Sequence, residues 1–189
     1  MWAILALTGR PAGAGGPDPL DELDLTDDTV IDTVVKESQR VLPSVAGSLP
    51  RRVQHDVEIA GSPPVPAGAL LVASTVVEHR NPDVYAEPGA YRPQRWLDGS
   101  AQPGPYQFFP FGVGARRCLG AAFADLQLRV TLAVLARAGR WPRLLTTRVD
   151  HRNKSGVNMA PAGRIMVEAG DGRARRAPLT GAVTRLWRS

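Results

Sequence analysis

One stretch of the sequence combines a possible metal ligand with glycine-rich backbone and positive charge. Residues 111–120 read F-G-V-G-A-R-R-C-L-G, and Cys118 is the only cysteine among the 189 residues. The apolar run that follows predicts that Cys118 lies in the first turn of a helix. Unpaired backbone N–H groups at such a position, together with Arg116 and Arg117, favour an anion. A cysteine thiolate either binds a metal or attacks an electrophile, so both chemistries are open at this point.

The residues around the cysteine indicate a large, flat ligand. Gly112 and Gly114 allow a positive φ or a close approach of the backbone to such a ligand, and Gly120 removes a side chain beyond the cysteine. Arg116 offers a planar fork that suits a carboxylate at the ligand's edge. Phe111 is placed to shield the sulfur from water. No nearby histidine could act as a base, which disfavours a nucleophilic thiol.

This stretch resembles the haem-binding signature F-G-x-G-x-R-x-C-x-G of the cytochrome P450 haem-thiolate monooxygenases, and every fixed position matches. Two further segments resemble the same family in order and spacing. Glu37 and Arg40 form a Glu-x-x-Arg pair like that of the family's ExxR helix. Residues 91–97, YRPQRWL, resemble its meander, with Gln94 where the family often has Glu. The resemblance implies that Glu37, Arg40 and Arg95 pair and lock the cysteine loop, whereas a bare Glu-x-x-Arg pair is usually a solvated ion pair.

The resemblance also implies a fold and a domain boundary. It covers roughly residues 1–169, which resemble the C-terminal half of the cytochrome P450 fold, a mainly α fold with small β-sheets (α+β). Residues 170–189 form a basic segment with little periodicity, which predicts a disordered tail. The apolar run at residues 1–7 resembles the end of the family's long central helix, and a frayed N-terminus is the alternative.

The cofactor implied by the resemblance is haem b (iron protoporphyrin IX). Arg51 aligns better than Arg52 with a family arginine that contacts a haem propionate. An arginine at a sheet edge in water is the alternative interpretation of Arg51. Cys118 is the predicted metal ligand and catalytic residue, and the predicted cofactor contacts are Phe111, Gly112, Gly114, Arg116, Cys118, Gly120 and Arg51.

The family's activity is the insertion of one oxygen atom from O2 into an organic substrate. The resemblance implies a ferredoxin and ferredoxin reductase, or a similar electron donor, and Arg117 and Arg129 are predicted to face it. Family members are about twice as long as this chain, so we interpret the sequence as half a fold. A truncated, catalytically inactive haem-binding remnant is the alternative, beside a redox or nucleophilic thiol and a basic nucleic-acid binder.

The composition of the chain indicates its cellular location and the classes of partner it could bind. A chain that is 43% hydrophobic and 22% charged is typical of a globular protein. One cysteine excludes an intramolecular disulfide and is compatible with the reducing cytoplasm. No stretch reaches the ~20 apolar residues of a membrane-spanning helix. The net charge of +5 arises from the C-terminal end, which contains no known nucleic-acid module, so a solvated tail is favoured over a nucleic-acid partner.

Two helices are predicted to position these residues. Thr26, Asp27 or Asp28 is placed to cap a helix that runs to Leu42, before a proline. A second helix, over 119–137, is apolar nearly all round, which predicts burial on every side.

Strands are predicted elsewhere. An extended stretch begins at Arg51, and a second strand is expected over 69–75. Residues 157–159 and 164–168 are expected to form a hairpin. His55, His79 and His151 have no metal-ligand spacing, so none is proposed as a ligand.

Overall fold

Two longer helices and several short strand pairs make up the part of the chain that the structure describes. The structure is a computed structural model and describes residues 8–11, 18–153, 159–170 and 176–181. The apolar run at 1–7 and residues 154–158, 171–175 and 182–189 lie outside the described residues. In chain order the elements are β1 (Gly9–Pro11), α1 (Asp28–Val41), β2 (Arg51–Arg52), β3 (Leu70–Leu71), α2 (Thr75–Glu78), two 3₁₀ turns (Pro93–Trp96 and Gly114–Arg116), α3 (Ala121–Arg137), β4 (Pro142–Leu144), β5 (His151–Asn153), β6 (Met159–Pro161), β7 (Val167–Ala169) and β8 (Ala177–Leu179).

Helix α1 is the central element of the core. Asp27 caps it, because its carboxylate accepts a hydrogen bond from the Thr29 backbone N–H at 2.7 Å. The helix ends at Val41, and Leu42 is its C-cap. The apolar arc of the helix is buried, as its spacing predicts, but Glu37 and Arg40 are also fully buried. The helix therefore carries both the core and a charged pair inside the protein.

Helix α3 is buried on one side only, so the prediction of burial on every side is wrong. Leu132 is buried in the core cluster with residues of α1. Phe123, Leu126 and Val130 are exposed by 71%, 58% and 52%. The apolar composition of a helix indicates that it requires partners on every side. In the described part of the chain, α1 packs against one side of this helix.

The strands of the described residues form four two-stranded sheets. β1 pairs with β8 in parallel, and β2–β3, β4–β7 and β5–β6 are antiparallel. The predicted hairpin is wrong, because β6 and β7 have different partners. The Ala162 backbone N–H, in the expected hairpin turn, donates to the Asp150 carbonyl at 2.7 Å. The strand predicted over 69–75 is reduced to β3, since Ser74 caps α2.

Residues 176–181, which lie in the predicted disordered tail, are ordered. β8 pairs with β1, and Leu179 is fully buried. The Arg176 guanidinium lies 4.7 Å from the centre of the Tyr91 ring and donates to the Gly9 carbonyl at 2.8 Å. This part of the predicted tail is therefore attached to the region that contains α1.

Candidate functional site

A carboxylate and two guanidinium groups meet in the interior beside α1. Glu37, Arg40 and Arg95 are each 0% exposed. Arg40 donates to both carboxylate oxygens of Glu37, from Nε at 2.9 Å and from Nη2 at 2.8 Å. Arg95 donates from Nε to Glu37 Oε1 at 3.2 Å. The structure thus brings together the three residues that the sequence resemblance groups.

Backbone carbonyls complete the hydrogen bonding of the two arginines. Arg40 Nη1 donates to the carbonyls of His79 at 2.8 Å and Pro88 at 2.7 Å. Arg95 Nη1 donates to the Ala86 carbonyl at 2.6 Å. Burial lowers the pKa of Arg95, and the nearby carboxylate opposes that effect. A buried ion pair is tolerated only when its remaining donors are satisfied, as they are here.

Two donors to Glu37 were not anticipated from the sequence. The Trp96 indole N–H donates to Glu37 Oε2 at 3.0 Å, and the Arg92 backbone N–H donates to Oε1 at 2.8 Å. The signal available in the sequence is the position of Trp96, directly after Arg95. With these two groups the carboxylate accepts five hydrogen bonds, so it is a well-compensated buried anion.

Aromatic contacts connect this network to the segment before the cysteine loop. The rings of Trp96 and Phe108 lie 4.9 Å apart, and the ring of Phe108 lies 5.2 Å from that of His79. The Phe109 backbone N–H donates to His79 Nε2 at 3.0 Å. Burial, followed by the charges of Arg40 and Arg80, lowers the pKa of His79 to about 4. The imidazole is therefore neutral at pH 7 and accepts this bond.

The cysteine loop has the backbone geometry that its glycines predict. Gly112 and Gly114 have φ values of 74° and 65°, in the left-handed region that glycine adopts without strain. The Gly112 N–H donates to the Phe109 carbonyl, and the Cys118 N–H donates to the Phe111 carbonyl, each at 2.9 Å. These bonds fix the start and the end of the loop relative to the buried segment.

Cys118 lies before α3 rather than in its first turn, which corrects the sequence prediction. The N-cap of α3 is Gly120, two residues further on. The cysteine is exposed, and a Cβ at Gly120 would stand 3.8 Å from its sulfur. The described residues contain no group of three histidine, cysteine or acidic residues that could hold a metal ion. A single exposed thiolate ligand suits a metal already held by a macrocycle, so this donor set fits haem.

The arginines that the sequence proposes as functional differ in whether their side chains form ion pairs or hydrogen bonds. Arg116 and Arg51 are exposed, and within the described ranges neither forms an ion pair or a hydrogen bond through its side chain. Arg52, by contrast, donates to the Gly68 carbonyl at 3.2 Å. Arg129 pairs with Asp32 at 2.5 Å and with Asp125. Arg129 is thus paired with two carboxylates of the chain, and its role toward an electron donor stays a prediction.

Phe111 is partly buried, and β2, which carries Arg51, has no hydrogen bond to the cysteine loop among the described residues. The structure therefore does not link Arg51 to the cysteine loop by a hydrogen bond in the described part of the chain. None of the helices it describes is both long enough and apolar enough to cross a membrane.

The described part of the chain thus combines an exposed cysteine loop with a buried Glu–Arg–Arg network, on a mainly α fold with small sheets. The family model described as Cytochrome P450 matches residues 15–162. The chain belongs to the cytochrome P450 family.

Relatives in bacteria and plants agree with this assignment. A protein described as putative cytochrome P450 139 from Mycobacterium bovis is 37% identical over 153 residues, covering 72% of this chain and 35% of that protein. Cytochrome P450 81Q32 from Catharanthus roseus is 29% identical over 172 residues, covering 85% of this chain and 34% of the relative. This chain therefore spans about a third of the length of these relatives.

Solved structures of cytochromes P450 resemble the chain. A six-coordinated cytochrome P450 from Thermus thermophilus is 27% identical with a TM-score of 0.65, over 89% of this chain and 42% of that one. CYP109Q5 from Chondromyces apiculatus, at 22% identity and a TM-score of 0.67, supports the fold. The fold, mainly α with small sheets, is thus that of part of a cytochrome P450.

Proposed function

We propose that this chain supplies the haem-ligating part of a cytochrome P450 monooxygenase, with Cys118 as the axial ligand. The observation that carries the proposal is the exposed Cys118 at the end of its loop. The start of this loop is hydrogen-bonded to Phe109, and Phe109 is hydrogen-bonded to His79 beside the Glu37 network. Haem b is the cofactor that this family uses and the one the donor set fits. When bound through a thiolate, haem supplies the oxidising centre for insertion of oxygen from O2 into a substrate.

The residues of the chain have separate roles in this proposal. Cys118 binds the metal as thiolate. Arg116 and Arg51, exposed and unpaired within the described ranges, neutralise the two propionates. Phe111 covers one side of the sulfur, which limits the access of water. Gly120 leaves the space beside the sulfur free of a side chain.

The backbone of the loop has a further role. Gly112 and Gly114 have positive φ values that residues with a Cβ rarely adopt. Because glycine has no Cβ, the backbone of the loop can also approach the ligand closely. The buried network holds this loop in position before the cofactor binds. Such preorganisation lowers the ordering cost of binding.

The partners follow from the family and from the exposed charges. A small organic molecule is the proposed substrate, and a ferredoxin with its reductase, or a similar protein, is the proposed electron donor. Arg117 is exposed and forms no ion pair within the described ranges, so it is available to an acidic donor surface. A cytoplasmic location is proposed from the cysteine content, since the single thiol must stay reduced.

The absorption spectrum of the reduced, carbon monoxide-treated protein tests the proposal. The full chain titrated with haemin is expected to give the red-shifted Soret band of thiolate ligation. Cys118→Ser should remove this band, whereas the control Ala115→Ser, three residues away, should keep it. A thiolate band in Cys118→Ser would overturn the ligand assignment. Absence of the thiolate band from the wild type would contradict the haem-ligating role of the chain.

A further inference from the structure

A fully buried histidine connects the charged network to the cysteine loop. His79 is 0% exposed, and its backbone carbonyl accepts a hydrogen bond from Arg40 Nη1 at 2.8 Å. On the opposite side its Nε2 atom accepts the Phe109 backbone N–H at 3.0 Å. One residue is therefore hydrogen-bonded to the network through its backbone and to the loop segment through its side chain.

The segment that His79 holds leads directly to the cysteine. The Phe109 carbonyl accepts the Gly112 N–H, and the Phe111 carbonyl accepts the Cys118 N–H, each at 2.9 Å. A displacement of Phe109 would thus change both ends of the loop. The rings of Phe108 and Phe109 lie 5.2 Å and 5.4 Å from the imidazole, the second edge-on, so the ring orientation is also fixed.

We propose that the neutral imidazole of His79 is a positioning residue, which sets the place of the cysteine loop by accepting the Phe109 backbone N–H. Only the unprotonated Nε2 atom has the lone pair that this bond requires. The proton of the neutral ring consequently belongs on Nδ1. The tether itself is independent of haem, and its effect on ligation rests on the function proposed above.

The charges around His79 act to keep it neutral. Arg40 of α1 and the adjacent Arg80 are cationic, and both lower the pKa of the imidazole after burial itself. Glu37 lies behind Arg40 and is paired with it. Glu78 precedes the histidine in the chain and lies within 3.5 Å of the Asn81 amide. From the loop side the neighbours are the two phenylalanine rings, which have no charge.

The same segment has a second tether that does not titrate near neutral pH. The Tyr85 hydroxyl donates to the Gln107 carbonyl at 2.9 Å, and burial raises the pKa of this tyrosine. An acid-dependent release of Phe109 alone would therefore identify His79 as its cause.

Hydrogen exchange of backbone amides tests the tether without any cofactor. In the full chain at pH 7, His79→Leu should speed exchange at Phe109 by about tenfold or more, because the amide loses its acceptor. His79→Gln should restore protection, since the glutamine oxygen can reach the same N–H. The Val35 amide in α1 should exchange equally in all three proteins, which separates local release from unfolding.

Acid conditions provide the test that does not depend on a stable His79→Leu protein. Compared at equal pH between 6.5 and 3.5, the wild type should lose Phe109 protection near pH 4, and His79→Gln should keep it. The exposed His55→Gln variant should behave as wild type. Equal Phe109 protection in wild type and His79→Gln at every pH would overturn the proposal.

A haem-based measurement then relates the tether to ligation. In haemin-loaded protein, acidification should convert the thiolate carbon monoxide band to the thiol band at a higher pH in wild type than in His79→Gln. If exchange shows the tether but no thiolate band forms at any pH, the function proposed for Cys118 fails while the role of His79 stands. If the thiolate band forms and the two pH profiles coincide, the positioning of the ligand by His79 is wrong.

Discussion

The Trp96 indole N–H lies 3.0 Å from Glu37 Oε2, on the same oxygen that accepts Arg40 Nε. The indole ring lies 4.9 Å from the ring of Phe108, at a tilted angle of 56°, next to the residue that His79 holds. A carboxylate in the interior is thereby connected to the cysteine loop through one tryptophan. The charged network and the loop are thus joined at two points, Trp96 and His79, and both should respond to loss of the carboxylate charge.

Removal of the charge of Glu37 should destabilise the whole protein. Glu37→Gln leaves two buried guanidinium groups without a counter-ion, which costs about 3–5 kcal/mol in the free energy of unfolding. Urea unfolding followed by circular dichroism measures the loss. Glu22→Gln, at an exposed position, should change the unfolding free energy by less than about 0.5 kcal/mol. Similar values for the two variants would show that the network contributes no more than a surface carboxylate.

His79 should make the stability of the protein dependent on acid. Its pKa is about 4 in the folded state against 6.5 for the free side chain, so between these values the unfolded chain binds a proton that the folded protein does not. The contribution of His79 is fully present above pH 6.5 and decreases as the pH falls. By pH 4 the free energy of unfolding has decreased, through His79, by on the order of 3 kcal/mol.

Denaturant unfolding at pH 7, 5.5 and 4 measures this contribution. Carboxylates also titrate over this range, so the comparison is with His79→Gln, whose unfolding free energy should decrease less steeply with acid. His55→Gln should follow the wild type, because His55 is exposed. Parallel pH dependence in wild type and His79→Gln would contradict the prediction.

Local signals in the sequence were sufficient for α1 and for the loop glycines. Thr26, Asp27 or Asp28 before an apolar periodic run predicts the helix start, and the structure shows Asp27 as the cap. Gly112 and Gly114 predict either a positive φ or a close approach of the backbone to a flat ligand, and both residues adopt a positive φ. The Glu37, Arg40 and Arg95 group could be expected from the family resemblance, since an i, i+3 pair has no local feature that distinguishes a buried pair from a solvated one.

The sequence pattern could not predict which strands pair with each other across long separations in the chain. The pattern around β6 and β7 indicates extended structure but not a partner, and each strand pairs with an earlier segment. The role of Trp96 and His79 depends on which groups meet them in the interior, because an indole N–H and an imidazole have no spacing rule. The apolar composition of α3 predicts burial correctly only where α1 covers the helix.

Arg176 should contribute more to stability than a surface arginine in an ion pair. Its side chain is 3% exposed, contacts the Tyr91 ring and donates to the Gly9 carbonyl. Arg176→Met should lower the free energy of unfolding by about 1–3 kcal/mol, because buried groups lose their partner. The matched control is Arg143→Met, which breaks the exposed pair with Glu168 and should cost at most about 1 kcal/mol. Equal losses in the two variants, measured by urea unfolding, would contradict this assignment.

The exposed side of α3 should cause the chain to associate with itself. Phe123 and Leu126 are 71% and 58% exposed, and contiguous apolar surface favours association. Phe123→Ser combined with Leu126→Ser should reduce the average mass in sedimentation velocity. It should change the free energy of unfolding by less than about 1 kcal/mol, because neither side chain is in the core.

The control is Leu132→Ser on the covered side of the same helix. Leu132 is 2% exposed, so this change leaves a cavity and buries a hydroxyl group, at a cost of about 3 kcal/mol or more. Association should be unchanged or greater in this variant. If the double variant loses as much stability as Leu132→Ser, Phe123 and Leu126 are buried in the folded chain in solution, and the one-sided packing of α3 is wrong.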